Sequence, residues 1–237
     1  MATMSNYFVD SKKLVADNSS IIKGQKYRFT ILSDILVRME YSPNGVFEDR
    51  ATEQVVCRKF DTINYNVVET ENLIQIKTIY FTLTYDKEKP FTGMNLKVLL
   101  NESNKEWTYQ NKEVRNFGSI NYSLDNYQGS SLLGKGLYSS DGFSAIDDSN
   151  SLVLSDNDEF ILRENKEVDV YLFVYRRDFN KCLEDYYKLT GYPSFIPRYA
   201  LGNWWYKNEN YNMQDIGEVV KKFYENNIPI SIFMLGN

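Results

Sequence analysis

Residues 189–237 constrain the fold more than any other part of the sequence. They contain two short, mostly apolar runs, at residues 199–205 and 228–235, in which apolar side chains do not alternate with polar ones. This pattern is typical of strands covered on both faces, so it predicts two buried strands. With the helix between them they form a right-handed βαβ crossover. We therefore expect the opening of a parallel α/β barrel, truncated after its first unit.

The helix between these strands carries its own start and end signals. Asn212 can accept hydrogen bonds from first-turn amides, and Asp215 three residues later favours the helix dipole. Asn226, Asn227 and Pro229 end the pattern. The apolar residues between these signals recur at helical spacing and predict one buried face, formed by Ile216, Val219, Val220 and Phe223.

The chain before this segment is patterned for antiparallel strands. Apolar side chains alternate with polar ones at residues 27–31, 35–41, 81–85 and 168–174, and polar turns separate the runs. In the first two runs the polar positions include Arg28, Arg38 and Glu40. Runs of this kind predict a large antiparallel β-sandwich.

A second helix is predicted at residues 179–189, where Gly191 and Pro193 end it. It leads from the sandwich toward the barrel-like segment, and we place the boundary near residues 190–197. The predicted domains are therefore an N-terminal sandwich with its linking helix, residues 1–190, and an incomplete barrel, residues 191–237.

Composition excludes several classes of function. The chain has no histidine, so neither a Ser-His-Asp site nor a histidine general base can be built, and Cys57 and Cys182 are too few for an all-thiolate zinc site. We expect no metal, no cofactor and two free thiols in a reducing cytoplasm. The net charge of −5, without a long basic or apolar run, argues against nucleic acid and membrane as partners. Carboxylates and aromatic rings remain, and these are the usual groups of sugar-processing sites.

Several motifs resemble family 31 of the glycoside hydrolases. They are GLYSSDGFSAIDDSNSLVL at residues 136–154, Leu-Thr-Gly at 189–191, Pro-Arg-x-Ala-Leu-Gly at 197–202 and Ile-Pro at 228–229, in the order and with the gaps of that family. The family contains α-glucosidases, α-xylosidases and related transglycosylases. The resemblance implies a galactose-mutarotase-like sandwich followed by a (β/α)₈ barrel, and a retaining mechanism with two aspartates on later barrel strands. No catalytic residue is therefore expected in this chain, which by itself should be inactive.

The sequence departs from the family pattern at two strand ends. Gly236 stands where the resemblance implies an aspartate that binds the sugar, and Tyr206-Lys207 stands where many members have Ser-Arg. Both departures leave the identity of the α-linked sugar open.

Two pairs of residues are candidates for substrate binding. Trp204 and Trp205 end the first barrel strand, where a ring can stack on a sugar or pack in the core. Asp147 and Asp148 lie in a turn from which they can reach the barrel mouth or cap the turn itself.

Three functions follow from these observations. The first is the N-terminal part of a retaining α-glycosidase acting on α-linked gluco- or xylo-saccharides. The second is a stand-alone carbohydrate-binding or interaction module. The third is a mutarotase-type epimerase, which the missing histidine disfavours. A saccharide is the expected partner in the first two, and self-association into a homo-oligomer stays open because the two barrel strands lack neighbours.

Overall fold

A computed structural model describes residues 9–110, 115–119, 128–129 and 132–235 of the chain. The chain divides into two compact units, Met1–Tyr192 and Pro193–Asn237. The strands of the first unit are, in chain order, β1 (Ile21–Lys23), β2 (Tyr27–Ile31), β3 (Leu36–Tyr41), β4 (Asn66–Glu69), β5 (Leu73–Lys77), β6 (Phe81–Asp86), β7 (Leu96–Leu100), β8 (Glu106–Thr108), β9 (Phe143–Asp147), β10 (Val153–Leu154), β11 (Phe160–Ile161) and β12 (Val168–Val174).

These strands form two five-stranded antiparallel sheets. The first sheet has the order β1-β2-β3-β12-β9, and the second is the meander β4-β5-β6-β7-β8, while β10 and β11 pair by themselves. The four alternating runs of the sequence correspond to β2, β3, β6 and β12. The predicted mainly β fold with antiparallel sheets is therefore confirmed.

The apolar positions of both sheets share one hydrophobic core. Phe29 and Met39 are directly paired across β2 and β3, and Val37 pairs with Leu172 across β3 and β12. Facing residues of the second sheet, such as Tyr85, join the same cluster. Because successive side chains of a strand point to opposite faces, this core uses only one face of each sheet.

The other face of the first sheet is covered as well. Every residue of β2 and β3 is buried, including Arg28, Arg38 and Glu40, although alternation of this kind often marks a solvent-facing side. A second cluster of buried apolar residues explains the cover: Leu32, Ile35, Leu36, Val55, Phe60, Tyr171, Phe173, Tyr175, Cys182 and Leu189. The face of this sheet that points away from the shared core is thus also buried, and it contains charged groups.

Helix α1 (Phe179–Thr190) supplies part of this cover through Cys182 and Leu189. The Asp178 side chain accepts a hydrogen bond from the Lys181 amide at its start, and Gly191, with φ of 93°, ends it. The predicted helix at residues 179–189 is confirmed to within one residue. Short 3₁₀ turns at Ser11–Lys13 and Asn18–Ser20 precede β1.

The second unit consists of a 3₁₀ turn (Arg198–Leu201), β13 (Trp204–Lys207), α2 (Met213–Glu225) and β14 (Ile232–Leu235). The two strands are parallel, with Trp204 opposite Ile232. The predicted cap at Asn212 is confirmed, since its side chain accepts from the amides of Gln214 and Asp215. The Asp215 carboxylate accepts from the Asn212 amide in return and completes a capping box.

Both strands of this unit are shorter than predicted. Residues 199–201 are not strand, because the Ala200 amide donates to the Pro197 carbonyl at 2.9 Å and closes a 3₁₀ turn. The predicted strand at 228–235 begins only at Ile232, since the Ile228 amide still bonds to the last turn of α2 at the Phe223 carbonyl.

The burial predicted for the second unit is also wrong. Covered strands were expected, but Trp204, Tyr206, Met234 and Leu235 are exposed. A two-stranded sheet offers each strand only one neighbour, and one helix cannot cover two faces. Helix α2 accordingly has no fully buried residue.

Candidate functional site

The two tryptophans of β13 have different surroundings. Trp205 stacks on Phe233 with ring centroids 4.3 Å apart, and it meets the Tyr211 ring edge to face with centroids 5.5 Å apart. Trp204 is 51% exposed, and its indole Nε1 donates to the Ala200 carbonyl at 2.7 Å. Adjacent residues of a strand face opposite sides, so the two rings cannot form one platform. Trp205 packs within its unit, whereas Trp204 presents a ring to solvent.

Polar groups follow these rings at the carboxyl end of β13. The Lys207 ammonium lies 2.7 Å from the Glu209 carboxylate, and the Tyr211 hydroxyl donates to the same carboxylate at 3.3 Å. The hydrogen bond from Lys207 lowers the pKa of Glu209, and the same bond raises the pKa of Lys207. The group offers a charged acceptor and a charged donor to solvent. With its pKa lowered, Glu209 is a poor proton donor near neutral pH.

Asp147 and Asp148 point into different environments. Asp147 is exposed at the end of β9, and its Oδ1 accepts from the amide and the hydroxyl of Ser149 at 3.1 and 2.5 Å. This carboxylate lines a cleft of about 300 Å³, together with Gln54 and Tyr186. Of the two aspartates, Asp147 is therefore the one that a ligand can reach.

Asp148 is completely buried. Its carboxylate accepts from the Thr52 hydroxyl at 3.0 Å and from Arg163 Nη2 at 3.1 Å. Burial and the neighbouring Asp169 raise the pKa of Asp148. This placement favours the structural alternative for Asp148, because its oxygens are occupied inside the fold.

Asp148 belongs to a group of buried ion pairs that sequence reasoning missed. We call this group the ionic cluster, and its members are Arg28, Arg38, Arg163, Glu40, Asp49, Asp148, Glu167 and Asp169. The signal was present in the sequence as charged residues at the polar positions of β2, β3 and β12. Strand register brings them together, since Arg28 pairs with Glu40 and Glu40 with Asp169.

Most groups of the ionic cluster are hydrogen-bonded, although the buried Glu167 Oε2 has no hydrogen-bond partner, and its charges do not balance. Arg28 binds Glu40 through Nε and Nη2 at 2.6 and 2.7 Å, and Arg38 binds Asp169 in the same bidentate way at 2.8 and 2.7 Å. Carboxylates outnumber arginines among its members, so the arginines cannot stabilise the charged form of every carboxylate equally. Burial outweighs the two arginines at Glu40 and raises its pKa to about 7, whereas Arg38 lowers the pKa of Asp169 to about 2 despite its burial.

No protein-family model matches the chain. An alpha-xylosidase of Saccharolobus solfataricus is 37% identical over 71 residues, which are 30% of this chain and 9% of the xylosidase. A GH31 dextranase of Flavobacterium johnsoniae, solved with glucose, has a similar structure, with a TM-score of 0.53, 15% identity and 89% of this chain covered. A GH31 alpha-xylosidase from a soil metagenome, solved with xylose, gives a TM-score of 0.55, 12% identity and 90% coverage.

The chain matches the N-terminal region of a glycoside hydrolase family 31 enzyme. The resemblance based on the motifs is thereby confirmed. The chain spans 31% of the family 31 dextranase and 39% of the soil alpha-xylosidase. At these low identities the structural likeness to the family 31 enzymes shows a common fold.

The remaining site predictions have mixed outcomes. In the described residues, both cysteines are free, and no helix is long and apolar enough to cross a membrane. No group of three or more potential metal ligands is found in the same part of the chain. Gly236, the position where family 31 implies an aspartate, lies outside the described residues. The tryptophans belong to the second unit and the aspartates to the first.

Proposed function

We propose that this chain is the N-terminal part of a retaining α-glycosidase that acts on α-linked gluco- or xylo-saccharides. The observation that carries the proposal is the 37% identity to an alpha-xylosidase over 71 residues. The likeness to a dextranase and to an alpha-xylosidase, solved with glucose and with xylose, supports the same class of substrate.

In this proposal residues 1–190 are a galactose-mutarotase-like sandwich, and residues 191–237 are the first βαβ unit of a (β/α)₈ barrel. The parallel pairing of β13 with β14, joined through α2, supports the barrel assignment. Barrel active sites form at the carboxyl ends of the strands. The pair Lys207 and Glu209 lies at such an end and is assigned to hydroxyl binding.

The four candidate residues take different parts in this proposal. The exposed ring of Trp204 is free to stack on a sugar, and Trp205 holds the strand through its contact with Phe233. Asp147 lines a cleft that a ligand can enter, while the buried Asp148 stabilises the turn through its bond to Arg163.

Catalysis is assigned to residues outside this chain. A retaining glycosidase needs a nucleophile and an acid/base about 5 Å apart, and the family resemblance assigns both to later strands of the barrel. The 237-residue chain is therefore proposed to be inactive by itself. Its two free thiols, Cys57 and Cys182, support a reducing, cytoplasmic location.

Three measurements test the proposal. The chain should release no chromophore from 4-nitrophenyl α-xyloside or α-glucoside, and activity that survives repurification would overturn its inactivity. The gene should continue past Asn237 into a barrel with two aspartates at later strand ends. The full-length protein encoded by that gene should hydrolyse one of these substrates with retention of configuration at the anomeric carbon, as followed by proton NMR. A gene without such a barrel would refute the parent glycosidase and favour a binding module.

A further inference from the structure

A cleft of about 560 Å³ opens at one end of the first unit, where loops of both five-stranded sheets meet. Tyr80 and Glu102 reach it from the second sheet, while Asp141 and Arg176 reach it from the first. Its volume falls within the roughly 300–1,000 Å³ that small-molecule sites occupy. None of the residues considered above as site candidates lies in this cleft.

The charges that line the cleft are balanced and arranged in pairs. Arg176 Nη1 lies 2.5 Å from Glu102 Oε2, and Lys105 Nζ lies 3.2 Å from Asp141 Oδ1. Each pair joins the β7–β8 loop of one sheet to a loop of the other. Arg177 and Asp178 add one charge of each sign. The cleft therefore presents donors and acceptors side by side without a net charge.

The Arg176 side chain is fixed as a flat polar surface. Its guanidinium carbon lies 4.4 Å from the centre of the Tyr80 ring, while Nη1 binds Glu102. A planar guanidinium stacked on an aromatic ring keeps its edge donors free for further hydrogen bonds. Two planar groups thus form one wall of the cleft.

The backbone at both ends of the Arg176–Glu102 pair is held in an unusual conformation. Arg176 has φ of 55° and Glu102 has φ of 62°, in the left-handed region that residues other than glycine rarely adopt. The Arg176 amide donates to the Gly142 carbonyl at 2.8 Å, and a Cβ at Gly142 would lie 2.6 Å from the Arg176 carbonyl oxygen. Such strain persists only where the surrounding structure enforces it, and it is concentrated at functional sites.

We propose that this cleft binds a neutral saccharide. Each sugar hydroxyl both donates and accepts hydrogen bonds, and vicinal hydroxyls match a carboxylate next to a guanidinium or an ammonium. An anion would meet Glu102, Asp141 and Asp178, and a cation would meet Lys105, Arg176 and Arg177, so the lining disfavours both. The site lies wholly in the first unit and does not depend on the proposed activity of the parent enzyme.

Titration of the ¹⁵N-labelled chain with isomaltotriose, glucose and xylose tests the proposal. We expect saturable amide shifts at Tyr80, Glu102 and Arg176. Arg176→Met, which removes the guanidinium, should weaken binding by about tenfold or more, as loss of a charge-assisted hydrogen bond does. Arg50→Met is the matched control, because the Arg50 side chain, about as exposed as that of Arg176, pairs with Glu48 at 2.8 Å outside the cleft. It should bind as the unaltered chain does.

Three results would overturn the proposal. The first is the absence of saturable shifts in the cleft, and the second is equal binding by the Arg176→Met and unaltered chains. The third is tighter binding of inorganic phosphate than of saccharide, which would identify an anion site. If Arg176→Met does not give a dispersed spectrum, the isosteric Glu102→Gln carries the same expectation. None of these outcomes affects the hydrolysis assay of the full-length protein. The proposed glycosidase function and the proposed saccharide cleft can therefore fail independently.

Discussion

Substitution of Arg38 by methionine tests whether the ionic cluster holds the first sheet together. Arg38 is 1% exposed, and it binds Asp169 in a bidentate manner. Its Nη2 also donates to the Glu48 carbonyl at 2.6 Å and lies 3.1 Å from Glu40. Methionine fills part of the volume but satisfies none of these acceptors. Asp169 would keep its ion pair with Arg163 but lose the bidentate one.

The expected magnitude follows from the burial of the abandoned charge. Removing one partner of a buried ion pair costs about 3–5 kcal/mol, because the other charge stays desolvated. The total free energy of unfolding of a domain is only about 5–15 kcal/mol. The urea midpoint of the first unit should therefore fall by about 1–2 M, with an m-value of about 3 kcal/mol/M for a unit of this size.

Pulse-labelling hydrogen exchange across a urea titration measures this change unit by unit. Peptides from β3 and β12 report on the first unit, and peptides from α2 report on the second and should not move. Arg50→Met is the control, because its partly exposed pair with Glu48 contributes about 0–1 kcal/mol. An Arg38→Met chain within about 1 kcal/mol of the unaltered chain would refute the reasoning.

The double variant Arg38→Met/Asp169→Leu separates charge from packing. Loss of both charges leaves no unpaired carboxylate at position 169, and buried pairs replaced by apolar residues are often neutral in stability. We expect at least half of the lost stability to return. A double variant as unstable as the sum of the single variants would mean that packing, not charge, explains the loss.

Three further predictions concern titration, capping and reactivity. Because burial raises the pKa of Glu40 from 4.5 to about 7, the folded chain holds a proton that the unfolded chain releases, and this contribution to stability falls as pH rises from about 4.5 to about 7. Glu40→Gln should therefore weaken the pH dependence of the urea midpoint over that interval. An unchanged pH dependence would contradict the raised pKa of Glu40. Asn212→Ala should cost α2 about 1 kcal/mol, seen as faster amide exchange in its first turn only. Burial raises the pKa of Cys182, so a maleimide should label the partly exposed Cys57 and leave Cys182 unmodified until urea unfolds the first unit, and early labelling of Cys182 would refute its burial.

The sequence predicted correctly those features that form between residues close together along the chain. The capping box of Asn212 and Asp215 is complete within four residues, and the end of α1 needs only Gly191. The predicted start of β13 was wrong because the apolar residues 199–201 suit a strand and a 3₁₀ turn equally well. Hydrogen bonds from the Ala200 amide to the Pro197 carbonyl and from the Gly202 amide to the Tyr199 carbonyl, and not hydrophobicity, decide between the two.

The ionic cluster was missed for a different reason. Alternation determines toward which face Arg38 or Asp169 points, but it carries no information about what covers that face. The cover comes from α1 and from residues near Val55, which lie outside the alternating strands themselves. The same limit applies to the candidate cleft at Arg176, whose walls come from loops of two sheets.

Asp147 and Asp148 show how this limit affects the assignment of function. The two carboxylates are adjacent in sequence, and β9 ends between them. The Asp147 side chain is exposed, while that of Asp148 joins Arg163 in the ionic cluster. Substitution of Asp148 removes a partner of a buried arginine, so it lowers stability whether or not a sugar binds nearby. Loss of activity in an Asp148 variant of the parent enzyme would therefore not identify a substrate contact, whereas the same loss in a stable Asp147 variant would.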